Sequence, residues 1–149
     1  MKQQSPTQLF MVEPACFYTN TQTTDSNHYQ SDDSNQSREI ILENAKKEFH
    51  KLKNEIEKNG IEVISCVGNE NCPDHIFPNW FTTFSDKTMQ IFSMKAKNRR
   101  TEKTPEMISL LKESYELTSD YSNFEDKNIF LESTSSMVFD RVNKVAYIG

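Results

Sequence analysis

The chain has 149 residues, a formal net charge of −5 and a composition that is 26% charged, 35% hydrophobic and 11% aromatic. That length fits a single domain with a modest core, and the acidity argues against a nucleic-acid partner. The aromatic content argues against a chain disordered throughout, and no run of about 18 apolar residues offers a membrane span.

Leu9-Phe10-Met11-Val12, closed by Pro14, reads as a buried strand. Asn20 to Gln36 is dense in Asn, Gln, Ser, Thr and Asp and reads as a polar loop over 20–36. A helix is predicted from Arg38 to Asn59, because Ile41, Ala45, Phe49, Leu52 and Ile56 recur on one face. Ser37 suits its N-cap, and Gly60 suits a left-handed C-terminal cap. Ile61 to Ser65 then alternates as a strand.

Gly68 to Pro73 reads as a loop, followed by a predicted hairpin of His75–Phe84 with Met89–Met94 and a turn at Ser85-Asp86-Lys87. Pro78 marks an edge or bulge in its first strand. Lys95 to Arg100 reads as a linker into a second helix, with Thr104 as N-cap, Pro105 in its first turn and an end near Leu117. Ile129–Leu131, Met137–Phe139 and Val145–Ile148 are the remaining predicted strands, the last two joined by a turn at Asn143-Lys144. The expected order is β, α, β, β, β, α, β, β, β. Because an apolar strand reaches Ile148 beside the final Gly149, the expectation is one incomplete domain over 1–149 whose remaining partners lie elsewhere.

Several residues are candidates for chemistry. Asp74, His75 and Asn79 flank the aromatic run Phe77 to Phe81, so a carboxylate and an amide beside rings could receive a flat cation. Asp74 capping a turn is the alternative. Glu132 closes an apolar triplet, a common active-site placement and an equally ordinary strand end. Arg99-Arg100 suits either a carboxylate clamp or a solvated basic link. Cys66, Cys72 and His75 do not match a zinc spacing, so no metal and no cofactor are expected. Three cysteines without a framework spacing and a polar N-terminus without an apolar signal core point to reduced thiols in a cytoplasmic protein.

Taken together, certain segments resemble the amidinotransferase and arginine-deiminase superfamily of guanidino-group-modifying enzymes, and most of all its bacterial citrulline-utilisation hydrolase type. They are Phe10 to Pro14, Asn20 to Thr23, Asn27 to Gln30, Pro73 to Thr83, Asn98-Arg99-Arg100 and Phe130 to Arg141. The resemblance implies a partial α/β propeller, about two to three ββαβ-type modules of the family's five. It further implies a small guanidino or ureido amino acid as ligand, attacked by a cysteine thiolate while a histidine moves protons. By residue-level match Asp74 and Asn79 would line the substrate pocket, Arg99 would hold the amino-acid carboxylate, and Glu132 would orient the catalytic histidine. That histidine and cysteine would fall in the family's second half. The resemblance therefore implies an N-terminal portion, inactive alone, with a second chain as one way of completing the propeller. A non-catalytic ligand-binding or interaction protein is the alternative. The chain departs from the family pattern in having one residue fewer between Pro78 and Trp80, and serines at 133 and 135 where glycines are usual.

Overall fold

A computed structural model describes residues 4–24 and 36–149. His28 and most of the expected polar loop lie outside the described residues. The contacts divide the chain into two compact units, one of Pro6–Pro78 and one of Met1–Ser5 with Asn79–Gly149.

The Pro6–Pro78 unit is a strand, a crossover helix and a parallel strand. Strand β1 (Gln8–Glu13) pairs in parallel with β2 (Glu62–Val67), with Val12 opposite Cys66. Helix α1 (Arg38–Lys58) connects them, as parallel neighbours require a long crossover. Its ends are those the sequence marks. The Ser37 side chain accepts from the Ile40 backbone N–H, and Gly60 takes φ of 79° just beyond the helix. The apolar stripe is only half covered: Ile41, Ala45, Phe49 and Ile56 are partly buried, while Leu52 is exposed.

Gly68 positions the segment after β2. A Cβ there would lie 3.1 Å from Val12 Cγ1, 3.2 Å from the Glu13 carbonyl and 3.2 Å from His75 Nδ1. A side chain there would require these neighbours to give by a few tenths of an ångström, so glycine suits the close approach of the chain to the end of β1. From there the backbone runs through tight turns, with His75 N–H donating to Cys72 and Phe77 N–H to Asp74. The predicted strand at His75–Pro78 is therefore absent, because Pro73 and Pro78 lack ladder donors and their neighbours close turns instead.

In the second unit β3 (Phe81–Thr83) pairs antiparallel with β4 (Thr88–Ile91), and β4 pairs in parallel with β5 (Glu116–Asp120). Helices α2 (Lys97–Arg100) and α3 (Pro105–Lys112) make the crossover. Met89 and Ile91 of β4 are buried, as are Met107 and Leu111 of α3, and Trp80 and Met94, each 0% exposed, complete the core. Thr104 caps α3 by accepting from Met107 N–H, as its sequence anticipates. The helix stops at Lys112 rather than near Leu117. Leu117 instead pairs with Met89, so a short ambiguous segment follows its sheet neighbour over its helical spacing.

Ile129–Leu131 is not a strand. It follows a 3-10 helix over Ser122–Lys127 and a left-handed Asn128, and the Leu131 N–H donates to Ser93 Oγ. A single-turn helix α4 (Ser133–Ser136) leads into the antiparallel pair β6 (Met137–Asp140) and β7 (Val145–Ile148). Both hairpins close the same way, with a lysine at positive φ just before the second strand: Lys87 at 63° and Lys144 at 59°. The described residues thus hold seven strands, as expected, although the fifth is 116–120 and not 129–131. No helix among them is long and apolar enough to cross a membrane.

Candidate functional site

Polar side chains that are buried need partners, and two clusters of them stand out, one in each unit. In the Pro6–Pro78 unit the centre is Asp74, 7% exposed. Its Oδ2 accepts from Asn20 Nδ2 at 2.8 Å and from Thr23 Oγ1 at 2.9 Å. Asn20 is itself buried and turns its own loop, its Oδ1 accepting from Gln22 N–H. His75 is buried beside it, and Nδ1 accepts from the Asn69 backbone N–H at 2.8 Å, which leaves the ring proton of a neutral imidazole on Nε2. The turn that carries Asp74 is the one Gly68 allows.

In the other unit the centre is Arg99, in α2 and 6% exposed. Glu102, 0% exposed, grips it along one edge: Nε donates to Oε1 at 2.7 Å and Nη2 to Oε2 at 3.3 Å. Nη1 stands 3.6 Å from Glu132 Oε2. Glu132 immediately precedes α4, and its Oε1 accepts from the Lys95 backbone N–H at 2.9 Å. Asn79 joins the same stretch, because its Oδ1 accepts from Thr134 Oγ1 at 2.8 Å.

The structure thus brings Asn79, Arg99 and Glu132 together around the start of α4, while Asp74 takes its partners Asn20 and Thr23 within its own unit. Ser133 and Ser135 are helical, and neither has the positive φ that would demand glycine. Arg100 is engaged elsewhere: its guanidinium donates to the carbonyls of Met94 and Lys95 and lies over the Phe130 ring.

Glu102 escaped the sequence reading, although its spacing of three from Arg99 on a helical turn was a usable sign of an ion pair. Asn20 and Thr23 escaped as site residues because their composition reads only as loop. Two buried polar atoms near this cluster, Trp80 Nε1 and Ser133 Oγ, find no hydrogen-bond partner among the described residues. Such groups are scarce in native structures and gather where a further partner belongs. A separate cavity of about 420 Å³ is lined by apolar groups, chiefly Phe84, Phe92, Tyr121, Phe124, Met137 and Phe139, and includes none of the charged candidates.

Neither Cys16 nor Cys66 is primed for attack. Burial pushes the Cys66 thiol up to about 11, and burial likewise raises that of Cys16 despite a hydrogen bond from the Cys72 backbone. At pH 8 about one Cys66 in a thousand is thiolate, so iodoacetamide should label it far more slowly in the folded chain than in denaturant, as read by peptide mass spectrometry. Prompt labelling of folded Cys66 would contradict this. The neutral thiol suits the fold below about pH 9, and its contribution to stability is lost as pH rises toward the folded value of about 11.

A family model for eukaryotic N,N-dimethylarginine dimethylhydrolase matches residues 13–149. Among solved structures, the chain is similar to the N-terminal domain of ArgZ covalently bound to a reaction intermediate, with a TM-score of 0.64 and 15% identity over 95% of this chain and 48% of that one. It is also similar to unliganded AgrE, with a TM-score of 0.63 and 16% identity over 95% of this chain and 19% of that one. The chain therefore spans about half or less of the length of each of these structures. No curated protein matches it in sequence.

Proposed function

This chain belongs to the N,N-dimethylarginine dimethylhydrolase family, and from that membership we propose that it is the N-terminal portion of an enzyme acting on guanidino or ureido amino acids. The reaction is hydrolysis or transfer at the C–N bonds of an arginine- or citrulline-like substrate. The attacking sulfur and the proton-moving histidine belong to a second portion, carried on the same polypeptide or on a partner chain that completes the α/β propeller. Asp74 and Asn79 line the pocket, Arg99 is the cation that meets the amino-acid carboxylate, and Glu132 orients the histidine.

The arrangement of Glu132 carries the proposal. One of its oxygens is anchored by a backbone N–H, while the other faces Arg99 at 3.6 Å without a hydrogen bond among the described residues. An anchored carboxylate with an open oxygen suits the third member of a catalytic triad, which holds an imidazole by its N–H. The unpartnered Ser133 hydroxyl and Trp80 N–H support a site that receives further groups. The raised thiols of Cys16 and Cys66 support a nucleophile from outside this stretch.

The same thiols favour one other reading, a non-catalytic protein that keeps the ligand-binding wall. The chain alone is expected to release no ammonia, methylamine or dimethylamine from L-arginine, L-citrulline or Nω-methylated arginines, and equilibrium dialysis with labelled L-citrulline should lose about tenfold in affinity in Asp74→Asn, the scale of one charge-assisted hydrogen bond. Turnover by the isolated chain that persists in Glu132→Gln would overturn the assignment. Ligand binding that survives in a reconstituted whole without turnover would select the non-catalytic reading.

A further inference from the structure

We infer that Glu102 is a positioning residue of this site: it fixes the plane of the Arg99 guanidinium and, through it, keeps one oxygen of Glu132 open. The inference rests on the role proposed for Glu132, and its test is separable from that role. Glu102 has 0% exposure and both of its oxygens accept from one edge of the guanidinium. A guanidinium gripped along the Nε–Nη2 edge turns Nη1 the other way, where it stands 3.6 Å from Glu132 Oε2. At that separation the Coulombic attraction is strong in buried surroundings, yet the contact is too long for an N–H···O bond.

Charge balance explains why the distance holds. Among the described residues one cation stands between two carboxylates, and the fully buried one has the prior claim because it has no access to water. Glu132, with its side chain 20% exposed, can be solvated in part and tolerates the looser contact. Without the Glu102 charge, the anion nearest Arg99 among the described residues is Glu132, and charge-assisted pairing would draw the guanidinium into a full hydrogen bond with Oε2. The oxygen intended for an incoming N–H would then be occupied.

Nuclear magnetic resonance of the full chain tests this without any ligand. The side-chain Nε–H of Arg99 and the carboxyl carbon of Glu132 would be assigned by their disappearance in Arg99→Lys and Glu132→Gln. In Glu102→Gln the Arg99 Nε–H should move upfield and exchange faster with water, and the Glu132 carboxyl signal should shift as Oε2 gains a donor. The Glu43 signal, on an exposed surface pair with Lys47, should stay in place as a control on the fold. Glu102→Asp, which keeps the charge but withdraws it, should move both signals the same way by less, and it carries the test should Glu102→Gln not fold. A Glu132 signal unmoved in whichever variant folds overturns the inference. Loss of L-citrulline binding in Asp74→Asn together with that unmoved signal would keep the proposed site and discard the role of Glu102.

Discussion

Arg99→Met should lower the stability of the Asn79–Gly149 unit by about 3–5 kcal/mol, the usual cost of removing one partner from a buried ion pair. The reason is the pair of acids it leaves behind. Glu102 has no exposure, and Glu132 is largely covered, so two carboxylates would lose the cation they share. Urea unfolding followed by fluorescence reports on this unit directly, because Trp80 is the only tryptophan and lies in its core. Arg99→Lys should recover part of the loss, since an ammonium keeps the charge but cannot reproduce the two-point grip. The double variant Arg99→Met/Glu102→Leu should also be more stable than Arg99→Met, because it removes the stranded charge as well as its partner. A single-variant loss below about 1 kcal/mol would show that the cluster is solvated in solution and that its burial is not what holds α2 in place.

Trp80→Ala should cost about 3–5 kcal/mol, the range for deleting a large aromatic side chain from a packed core. The indole is 0% exposed, and its ring centroid lies 4.6 Å from that of Phe81 at an interplanar angle of 52°. Trp80→Phe should be much milder, within about 1.5 kcal/mol, because it keeps an aromatic ring and deletes an N–H that has no partner among the described residues. Both variants lose the fluorophore, so circular dichroism during thermal unfolding is the measurement. Equal losses in the two would mean that the indole N–H is satisfied in solution. In that event the unpartnered atom no longer supports a site awaiting further groups.

Local signals in the sequence located much of this fold, and the long-range ones were hidden. Helix α1 was legible from both ends, because Ser37 and Gly60 act within one turn of their own positions. Thr104 and Pro105 marked α3 for the same reason, and Lys87 and Lys144 sit in the turns expected for the two hairpins. Strand β5 was not legible, because Glu116 to Asp120 carries a single large apolar residue, Leu117, and owes its conformation to the neighbouring β4. Glu132 and Arg99 stand out in the sequence by the apolar triplet before the one and the paired arginines of the other, and the resemblance adds their roles, while Glu102 looks like one of many surface charges. Nothing in its neighbours announces that a fully buried acid stands there. Of the two readings the sequence offers for Asp74, the turn is seen: its carbonyl accepts from Phe77 N–H, and its carboxylate accepts from Asn20 and Thr23.

The β6–β7 hairpin governs how the protein behaves in a test tube. Val138, Tyr147 and Ile148 are 70%, 61% and 64% exposed, and Val145 is exposed beside them, so apolar side chains crowd one short ribbon. Preparations should be retained strongly on phenyl resin and salt out early in ammonium sulfate, since excluded salts strengthen the association of such surfaces. Low ionic strength and a pH well above the isoelectric point of about 5.2, where the molecules carry like charge, are the conditions that keep concentrated stocks clear.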